Sequence, residues 1–403
     1  MSVEEGVLPD FSAVVMGSIV GQFRWSAARY RHFACMICRY FPGRGDMLKT
    51  LCKGLLILSL PFWMVAQATT VVFLNPGHPT EPFWHSYTHF MQAAASNLGM
   101  DLTVRYGERD PQTTLAQAYE VLQASPRPDY LLIVNEQAVA PQILRMARGR
   151  GVKLFIVNNT LTLEQSRHFG DTPELLGSLV QNDEQGGYLM LKELIRQRLL
   201  QAPGQPIELL AFSGMKLTPA SQLREQGMRR ALAESPQVHL RQLVYGEWSR
   251  ERAFDQAEQM IRRYPQTSLV WSANDEMALG AMAAFAKAGR RPGRDVLFSA
   301  VNSSPEILRA RLDGRLSVLV AGHFALGGWA MVLLRDHADG IDFSRHGGRE
   351  RQIQALELID KAQAQKLLKF SVSEDYHVDF KALSAGGKPD SYRYPFSLKT
   401  VLP

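Results

Sequence analysis

Short apolar runs alternate with helical segments between about residues 70 and 340, and this alternation restricts the possible folds more than any other feature. Runs of four to six consecutive Val, Ile, Leu and Phe are typical of strands buried on both faces, as in a parallel sheet. The alternation predicts an α/β fold with right-handed crossovers. In the first half the runs lie at 70–75, 102–106, 130–135, 154–158 and 179–182, with helical spacing over 83–98, 112–123 and 141–150.

The same pattern recurs in the second half, with runs near 207–212, 240–245, 268–271, 296–301 and 316–320. About ten strands exceed what one compact open sheet usually holds, so we expect two similar doubly wound parallel-sheet lobes joined by a hinge. The first lobe would comprise residues 69–180 and 324–355, and the second residues 181–323 with part of 356–403. The carboxyl ends of the strands would then face a cleft between the lobes, where open α/β sheets bind ligands.

The first 68 residues have the pattern of a targeting segment. Two lysines precede an apolar run over residues 54–65, and Ala66-Gln67-Ala68 supplies the small residues that signal peptidase prefers. A permanent membrane anchor is the alternative, but the run is short for a spanning helix. We therefore expect residues 47–68 to be a signal peptide ending near Ala68, residues 1–46 to be an over-extended start, and the mature protein to lie in the periplasm.

Charge and cysteine content narrow the function once this segment is set aside. The whole chain has a formal net charge of +6, and removal of residues 1–68 leaves +3 and no cysteine. Such a chain offers neither thiol chemistry nor the basic patch typical of nucleic-acid binding. We expect no nucleic-acid partner. A ligand-responsive repressor would need DNA-binding helices ahead of the first lobe, and the predicted signal peptide occupies that place instead.

Polar and aromatic side chains follow the predicted strands, at the end that would face the cleft. Amides pair with hydroxyl groups as donors and acceptors, and aromatic rings pack against the C–H face of a sugar. Each residue could instead be a helix cap, a turn residue or a core aromatic, but their recurrence favours a binding site. The candidates are Asn135, Asn158, Asn182, Asn274, Asn302 and His323 at strand ends, with Phe83, Trp84 and Trp248 as aromatics.

Four segments resemble the periplasmic sugar-binding proteins of the ribose-binding type: residues 82–84, 181–187, 224–227 and 273–281. The resemblance spans roughly residues 69–340 and implies a receptor that closes at a hinge around one small sugar-like ligand. It implies stacking by Phe83 and Trp84 from the first lobe. The other implied ligand contacts are Asn135, Asn158 and Asn182 on the crossing side, Arg224, Trp248, Asn274 and Asn302 on the second lobe, and His323 near a hinge strand.

Three departures from this family pattern concern charge. Amides stand at Asn158, Asn182 and Asn302, where such proteins commonly carry carboxylates, while the cation Arg224 is kept. A buried charge needs a partner, so the cleft as it stands in the sequence has a positive surplus. We therefore expect a ligand that carries some negative charge or an electron-rich cyclic diol or carbonyl, such as a sugar acid or a furanose signal of the autoinducer kind. We expect Asp275 to cap its helix rather than contact the ligand.

Enzymatic and metal-dependent functions receive little support. His85 and His89 have a spacing that suits metal ligands on a helix, but the glutamate of an HExxH motif and a third ligand are missing. No serine nucleophile elbow and no phosphate-binding glycine pattern is present. We expect that the protein is not an enzyme and that it holds neither a cofactor nor a metal ion.

Two partners remain open for such a receptor: an ABC permease that imports the ligand, or a membrane kinase or cyclase that senses it. About sixty residues follow Gly340, including a stretch over 353–368 whose spacing predicts a helix. This tail is expected either to pack as a strap across the hinge or to dock a partner.

Overall fold

A computed structural model describes residues 68–373 and 376–402. The predicted over-extended start and nearly all of the predicted signal peptide lie outside these residues. Within the described ranges, no helix is both long enough and apolar enough to cross a membrane.

The first lobe is built on a six-stranded sheet in the order β11-β5-β4-β3-β1-β2, with every pair parallel. Its strands are β1 (Thr69–Asn75), β2 (Met100–Tyr106), β3 (Tyr130–Ile133), β4 (Lys153–Val157), β5 (Leu175–Gln181) and β11 (Glu350–Ile353). The helices that connect them are α1 (Pro82–Leu98), α2 (Pro111–Gln123), α3 (Ala140–Ala147) and α4 (Leu163–Phe169). Strands β3 and β4 are almost wholly buried, as the unbroken apolar runs predict.

The second lobe repeats this plan, with a sheet in the order β12-β10-β9-β8-β6-β7 and an antiparallel edge at β12. Its strands are β6 (Ile207–Ser213), β7 (Val238–Tyr245), β8 (Leu269–Ser272), β9 (Leu297–Val301), β10 (Val318–Ala321) and β12 (Glu357–Leu358). Its helices are α5 (Asp183–Gln201), α6 (Pro219–Ala233), α7 (Arg250–Arg263), α8 (Asp275–Lys287) and α9 (Pro305–Asp313). The α/β prediction with two doubly wound sheets is therefore confirmed, whereas the boundaries predicted for each lobe stay a prediction.

The chain passes between the sheets after β5, after β10 and again between β11 and β12. These crossings lie close together, because a Cβ on Gly322 would be only 2.3 Å from the carbonyl oxygen of Ala355. After the second crossing, helix α10 (Leu326–Ala338) packs on α1, where Gly327 and Gly328 leave room for the rings of Tyr87 and Phe90. The clustered crossings form the hinge between the lobes.

The prediction of one helix over residues 353–368 is wrong. Strand β11 instead adds to the first sheet, β12 adds to the second, and a helix, α11 (Lys361–Ser373), begins only after Asp360. Asp360 caps this helix through a 2.7 Å bond from the backbone N–H of Gln363. Ile353 and Leu358 are apolar residues of the two short strands and do not belong to a helix.

The end of the tail packs on the first lobe. The buried carboxylate of Asp336 in α10 accepts hydrogen bonds from Ser384 Oγ at 2.5 Å, the Ala385 backbone N–H at 2.8 Å and Tyr394 Oη at 2.6 Å. A final short helix, α12 (Leu398–Val401), lies beside the hinge at Gly322. The tail thus forms a strap that runs from the first lobe to the crossing segments.

Candidate functional site

A cavity lies between the carboxyl ends of the two parallel sheets. It encloses about 70 Å³ in which the centre of a water-sized molecule fits, enough for several waters or one small solute. Both lobes contribute walls, and most of the lining groups are polar or aromatic. The lining comprises Glu81, Pro82, Phe83, Trp84, Arg109, Glu136 and Asn159 from the first lobe, Thr218, Ala220, Arg224, Trp248, Asn274, Asp275, Glu276 and Asn302 from the second, and His323 at the hinge.

The structure brings seven of the ten predicted ligand contacts to this cavity: Phe83, Trp84, Arg224, Trp248, Asn274, Asn302 and His323. The other three predicted contacts do not line this cavity. Asn135 donates to the Thr160 carbonyl oxygen, and Asn182 caps α5 by accepting from the Gln185 backbone N–H at 3.0 Å. Asn158 takes a left-handed backbone (φ 63°) and lines a neighbouring groove.

Two tryptophans line the cavity from opposite lobes, and each is seated against a glycine. A Cβ on Gly77 would lie 2.0 Å from Trp84, and a Cβ on Gly214 would lie 2.1 Å from Trp248. Neither indole N–H has a hydrogen-bond partner among the described residues, although both nitrogens are buried. Phe83 completes the aromatic surface; its ring centroid lies 4.8 Å from that of Trp84 in a T-shaped contact.

Arg224 is held by a buried ion pair rather than left uncompensated. Its Nε donates to Asp183 Oδ1 at 2.8 Å, and its Nη1 donates to the Ala273 carbonyl oxygen at 2.7 Å. Both side chains of the pair are at most 5% exposed. The expected positive surplus is therefore wrong, because the carboxylate comes from the residue that follows Asn182.

The glycine three residues after Arg224 explains the spacing of this motif. A Cβ on Gly227 would lie 1.8 Å from the Glu184 carbonyl oxygen, and a Cβ on Gly187 would lie 2.0 Å from the Arg224 carbonyl oxygen. Helices α5 and α6 can therefore approach closely enough for Asp183 to reach the guanidinium.

A second paired cation, missed in the sequence, comes from the loop after β2. Arg109 Nε donates to Glu81 Oε1 at 2.9 Å and Arg109 Nη1 donates to Glu136 Oε1 at 3.0 Å. Burial opposes the charge of Arg109, but the two carboxylates raise the pKa of its guanidinium above the usual value. The available signal was Glu136 itself, which directly follows the strand-end Asn135.

The second-lobe amides belong to a hydrogen-bonded network around the start of α8. Asn274 caps the helix through the Met277 backbone N–H at 2.9 Å and donates to the Trp248 carbonyl oxygen at 3.1 Å. Asn302 donates to Asp275 Oδ1 at 2.7 Å. Burial raises the pKa of Asp275 to about 6. The expectation that Asp275 caps this helix rather than contacts the ligand is wrong, because Asn274 is the cap and Asp275, the first residue of α8, lines the cavity.

The hinge side of the cavity is closed by His323. Its ring stacks on Phe83 with centroids 4.6 Å apart, and its Nε2 lies 3.4 Å from Arg224 Nη2. Burial and the charge of Arg224 hold the pKa of His323 well below its usual value, so the ring is neutral. A neutral imidazole can accept a bond on one nitrogen and donate from the other.

Two hydrogen bonds join the lobes across the cavity mouth. The Ala220 backbone N–H donates to Asn159 Oδ1 at 2.9 Å, and Thr218 Oγ1 donates to Glu136 Oε1 at 3.2 Å. The structure is therefore that of a closed cleft. In the part of the chain that the structure describes, no group of three or more His, Cys, Asp or Glu side chains is placed to hold a metal ion.

Comparison with known proteins agrees with this architecture. The model of the periplasmic binding protein domain matches residues 71–342. The D-apiose import binding protein of Actinobacillus succinogenes is 26% identical over 339 residues, which cover 81% of this chain and 100% of the relative. The galactofuranose-binding protein of Escherichia coli is 21% identical over 281 residues, covering 66% of this chain and 83% of the relative.

A solved structure of much higher identity shares the fold. A periplasmic sugar-binding protein from Pseudomonas fluorescens is 60% identical, with a TM-score of 0.78, and the match covers 83% of this chain and 100% of that one. The relatives are solute-binding proteins, which confirms the expectation that this chain is not an enzyme. The chain belongs to the periplasmic binding proteins, as a sugar-binding receptor of the ribose-binding type.

Proposed function

We propose that this receptor closes around one neutral monosaccharide and delivers it to an ABC importer. The observation that carries the proposal is the charge pairing in the cavity. Arg224 is paired with Asp183, and Arg109 is paired with Glu81 and Glu136. Neither guanidinium in the described lining of the cavity is left over for an anionic ligand, since breaking the buried Arg224 pair or the largely buried Arg109 pairs would leave an uncompensated charge. This replaces the sugar acid expected from the sequence.

The remaining free groups suit hydroxyls on a ring. Two buried indole N–H groups and the Nδ1 atom of His323 have no partner among the residues described, and they surround a small aromatic-walled space. Such groups orient a hydroxylated ligand while the rings cover its C–H face. The names of the relatives support a monosaccharide ligand, because two of them are named for D-apiose and galactofuranose.

Delivery to an importer is favoured over sensing by the name of the D-apiose relative, which is called an import binding protein. Export through the predicted signal peptide at residues 47–68 is part of this proposal. A deletion strain should lose uptake of the radiolabelled ligand and recover it when the gene is restored. Unchanged uptake with a lost transcriptional response would contradict import and favour the sensory alternative.

Isothermal titration calorimetry tests the ligand class directly. D-apiose, D-ribose and galactofuranose form the neutral set, and D-ribonate serves as the anionic comparison. We expect at least one neutral sugar to bind and D-ribonate to be ignored. Trp248→Ala should weaken binding at least tenfold, whereas the exposed His85→Ala should leave it unchanged. Tighter binding of D-ribonate than of every neutral sugar would refute the proposal.

A further inference from the structure

A second cavity, here called the side groove, lies between the lobes beside the sugar cavity. Its volume is about 340 Å³. The first lobe contributes Asn158, Gln181 and Gln352, and the second contributes Gln222 and Gln226 from helix α6. Asn159 lines the groove as well, so six amide residues surround one space that neither the family match nor the sugar cavity accounts for.

Two residues that line the side groove each carry a buried side-chain carbonyl oxygen with no hydrogen-bond partner among the described residues. These oxygens are Asn158 Oδ1 and Gln181 Oε1, on side chains that are 6% and 1% exposed. The amide nitrogen of Gln181 is already used, since it donates to Asp183 Oδ2 at 2.7 Å. A buried acceptor that stays without a partner destabilises the folded protein. Both oxygens therefore favour a ligand that donates hydrogen bonds from hydroxyl groups.

The side groove carries no free charge and has apolar walls between its amides. Among the described residues that line the groove, Asp183 is the one with a charged side chain, and Arg224 neutralises its carboxylate. Leu161, Leu223 and Val180 supply carbon surface. Amides beside carbon surface suit a neutral molecule with hydroxyl groups on a hydrocarbon frame. The sugar cavity has a similar combination, but its carbon surface comes from aromatic rings, whereas that of the side groove comes from aliphatic side chains.

The side groove and the sugar cavity share walls. Asn159, whose Oδ1 accepts from the Ala220 backbone N–H, lines both spaces, and the Asp183–Arg224 pair separates them. Because each lobe supplies part of the side groove, the groove is complete only when the lobes are closed. Occupation of either space should therefore favour closure, and with it occupation of the other.

We propose that the side groove is a second binding site for a small neutral polyol or single sugar unit, thermodynamically coupled to the sugar cavity. The existence of this site is independent of which ligand fills the sugar cavity, while the coupling rests on the proposed function. Asn158, expected from the sequence to contact the cleft ligand, is here a ligand contact of the side groove.

Saturation-transfer NMR with erythritol tests the site without any knowledge of the sugar. We expect a signal with the wild type and with Asn274→Ala, which damages only the sugar cavity. The signal should fall at least fivefold in Asn158→Gly, which tolerates the left-handed backbone, and in Gln226→Trp, which fills the groove from an exposed position. Butane-1,4-diol, which lacks two of the hydroxyls, should give no signal.

Equal signals in all variants, or a loss confined to Asn274→Ala, would overturn the proposal, because erythritol would then bind nonspecifically or in the sugar cavity. No signal with folded wild type would also overturn it. Thermal unfolding checks each variant, and Gln226→Trp carries the test if Asn158→Gly does not fold.

The coupling is tested by calorimetry of the tightest neutral sugar with and without saturating erythritol. We expect about a twofold or greater gain in sugar affinity in the wild type and none in Gln226→Trp. An equal gain in both proteins would mark a general osmolyte effect, and a loss in the wild type would mark competition, so either result overturns the coupling. If no sugar binds but the erythritol pattern holds, the proposed function fails and the second site stands.

Discussion

The buried ion pair between Asp183 and Arg224 gives the sharpest test of how the second lobe is built. In Asp183→Asn the guanidinium keeps its charge and retains the Ala273 carbonyl oxygen and His323 as neighbours. An arginine cannot release its proton to escape burial. Loss of one partner from a buried pair costs about 3–5 kcal/mol. The unfolding equilibrium constant should therefore rise by about two to nearly four orders of magnitude.

The opposite substitution, Arg224→Met, should behave differently because a carboxyl group can take up a proton. Burial already raises the pKa of Asp183 even with Arg224 beside it, and the variant loses that counter-charge. An acid whose pKa is higher in the folded than in the unfolded state makes the protein less stable as pH rises between the two values. The loss of stability in Arg224→Met should therefore be smaller at pH 5 than at pH 8.

Urea unfolding of ligand-free protein, followed by tryptophan fluorescence, measures both effects. Trp271 lies in the second lobe, where its indole donates to the Gly187 carbonyl oxygen. We expect the loss in Asp183→Asn not to grow from pH 5 to pH 8, because the variant has no carboxyl group to ionise at this position. The double variant should lose less than the two single variants together. Additive losses, or a pH dependence shared by both single variants, would refute the reasoning.

Three further perturbations test the cavity. Asn159→Ala removes the hydrogen bond that the Ala220 backbone N–H donates across the mouth of the sugar cavity. Sugar affinity measured by calorimetry should fall about two- to tenfold, mainly because the sugar dissociates faster. An unchanged dissociation rate would contradict this. Gly77→Ala places a Cβ 2.0 Å from Trp84, so the indole must move, and affinity should fall at least tenfold with a shift in tryptophan emission. His323 stays neutral when folded and protonates more readily when unfolded, so stability should fall as pH drops below about 6.5, by up to about 1.4 kcal/mol per pH unit. His323→Gln should remove that part of the loss in urea unfolding at pH 5.5 against 7.5, and an identical loss in the variant would exclude the imidazole as its cause.

The fold could be predicted because strand burial leaves a direct signal in the sequence. Runs such as Leu154–Val157 are buried on both faces, and the structure places β4 over them. The tail could not be predicted in the same way. Strand β12 contains only two residues, and β11 is defined by the edge it joins rather than by its own apolar pattern. Pairing of such short segments depends on the sheet edges that the rest of the chain presents.

The binding residues were predictable where their position alone brings them to the cleft. Asn274 and Asn302 follow central strands of the second sheet and reach the cavity, although both also serve as caps or network members. Asn135 and Asn182 occupy equivalent strand ends, but local backbone N–H groups take their side-chain oxygens. Strand-end position thus predicts which edge a side chain lies on but not whether it lines the sugar cavity, because Asn274 and Asn182 make the same helix-capping bond and only Asn274 lines that cavity.

The expected positive surplus of the cleft was wrong for a reason that the sequence did contain. Asp183 and Arg224 lie 41 positions apart, and a comparison of strand ends alone does not pair them. The pair forms because Gly187 and Gly227 remove the side chains that would separate α5 from α6. A glycine three or four residues after a charged residue, on each of two helices, indicates that the helices touch and that their charges meet. A buried cleft arginine therefore indicates an anionic ligand only after the helix packed against it has been searched for a carboxylate.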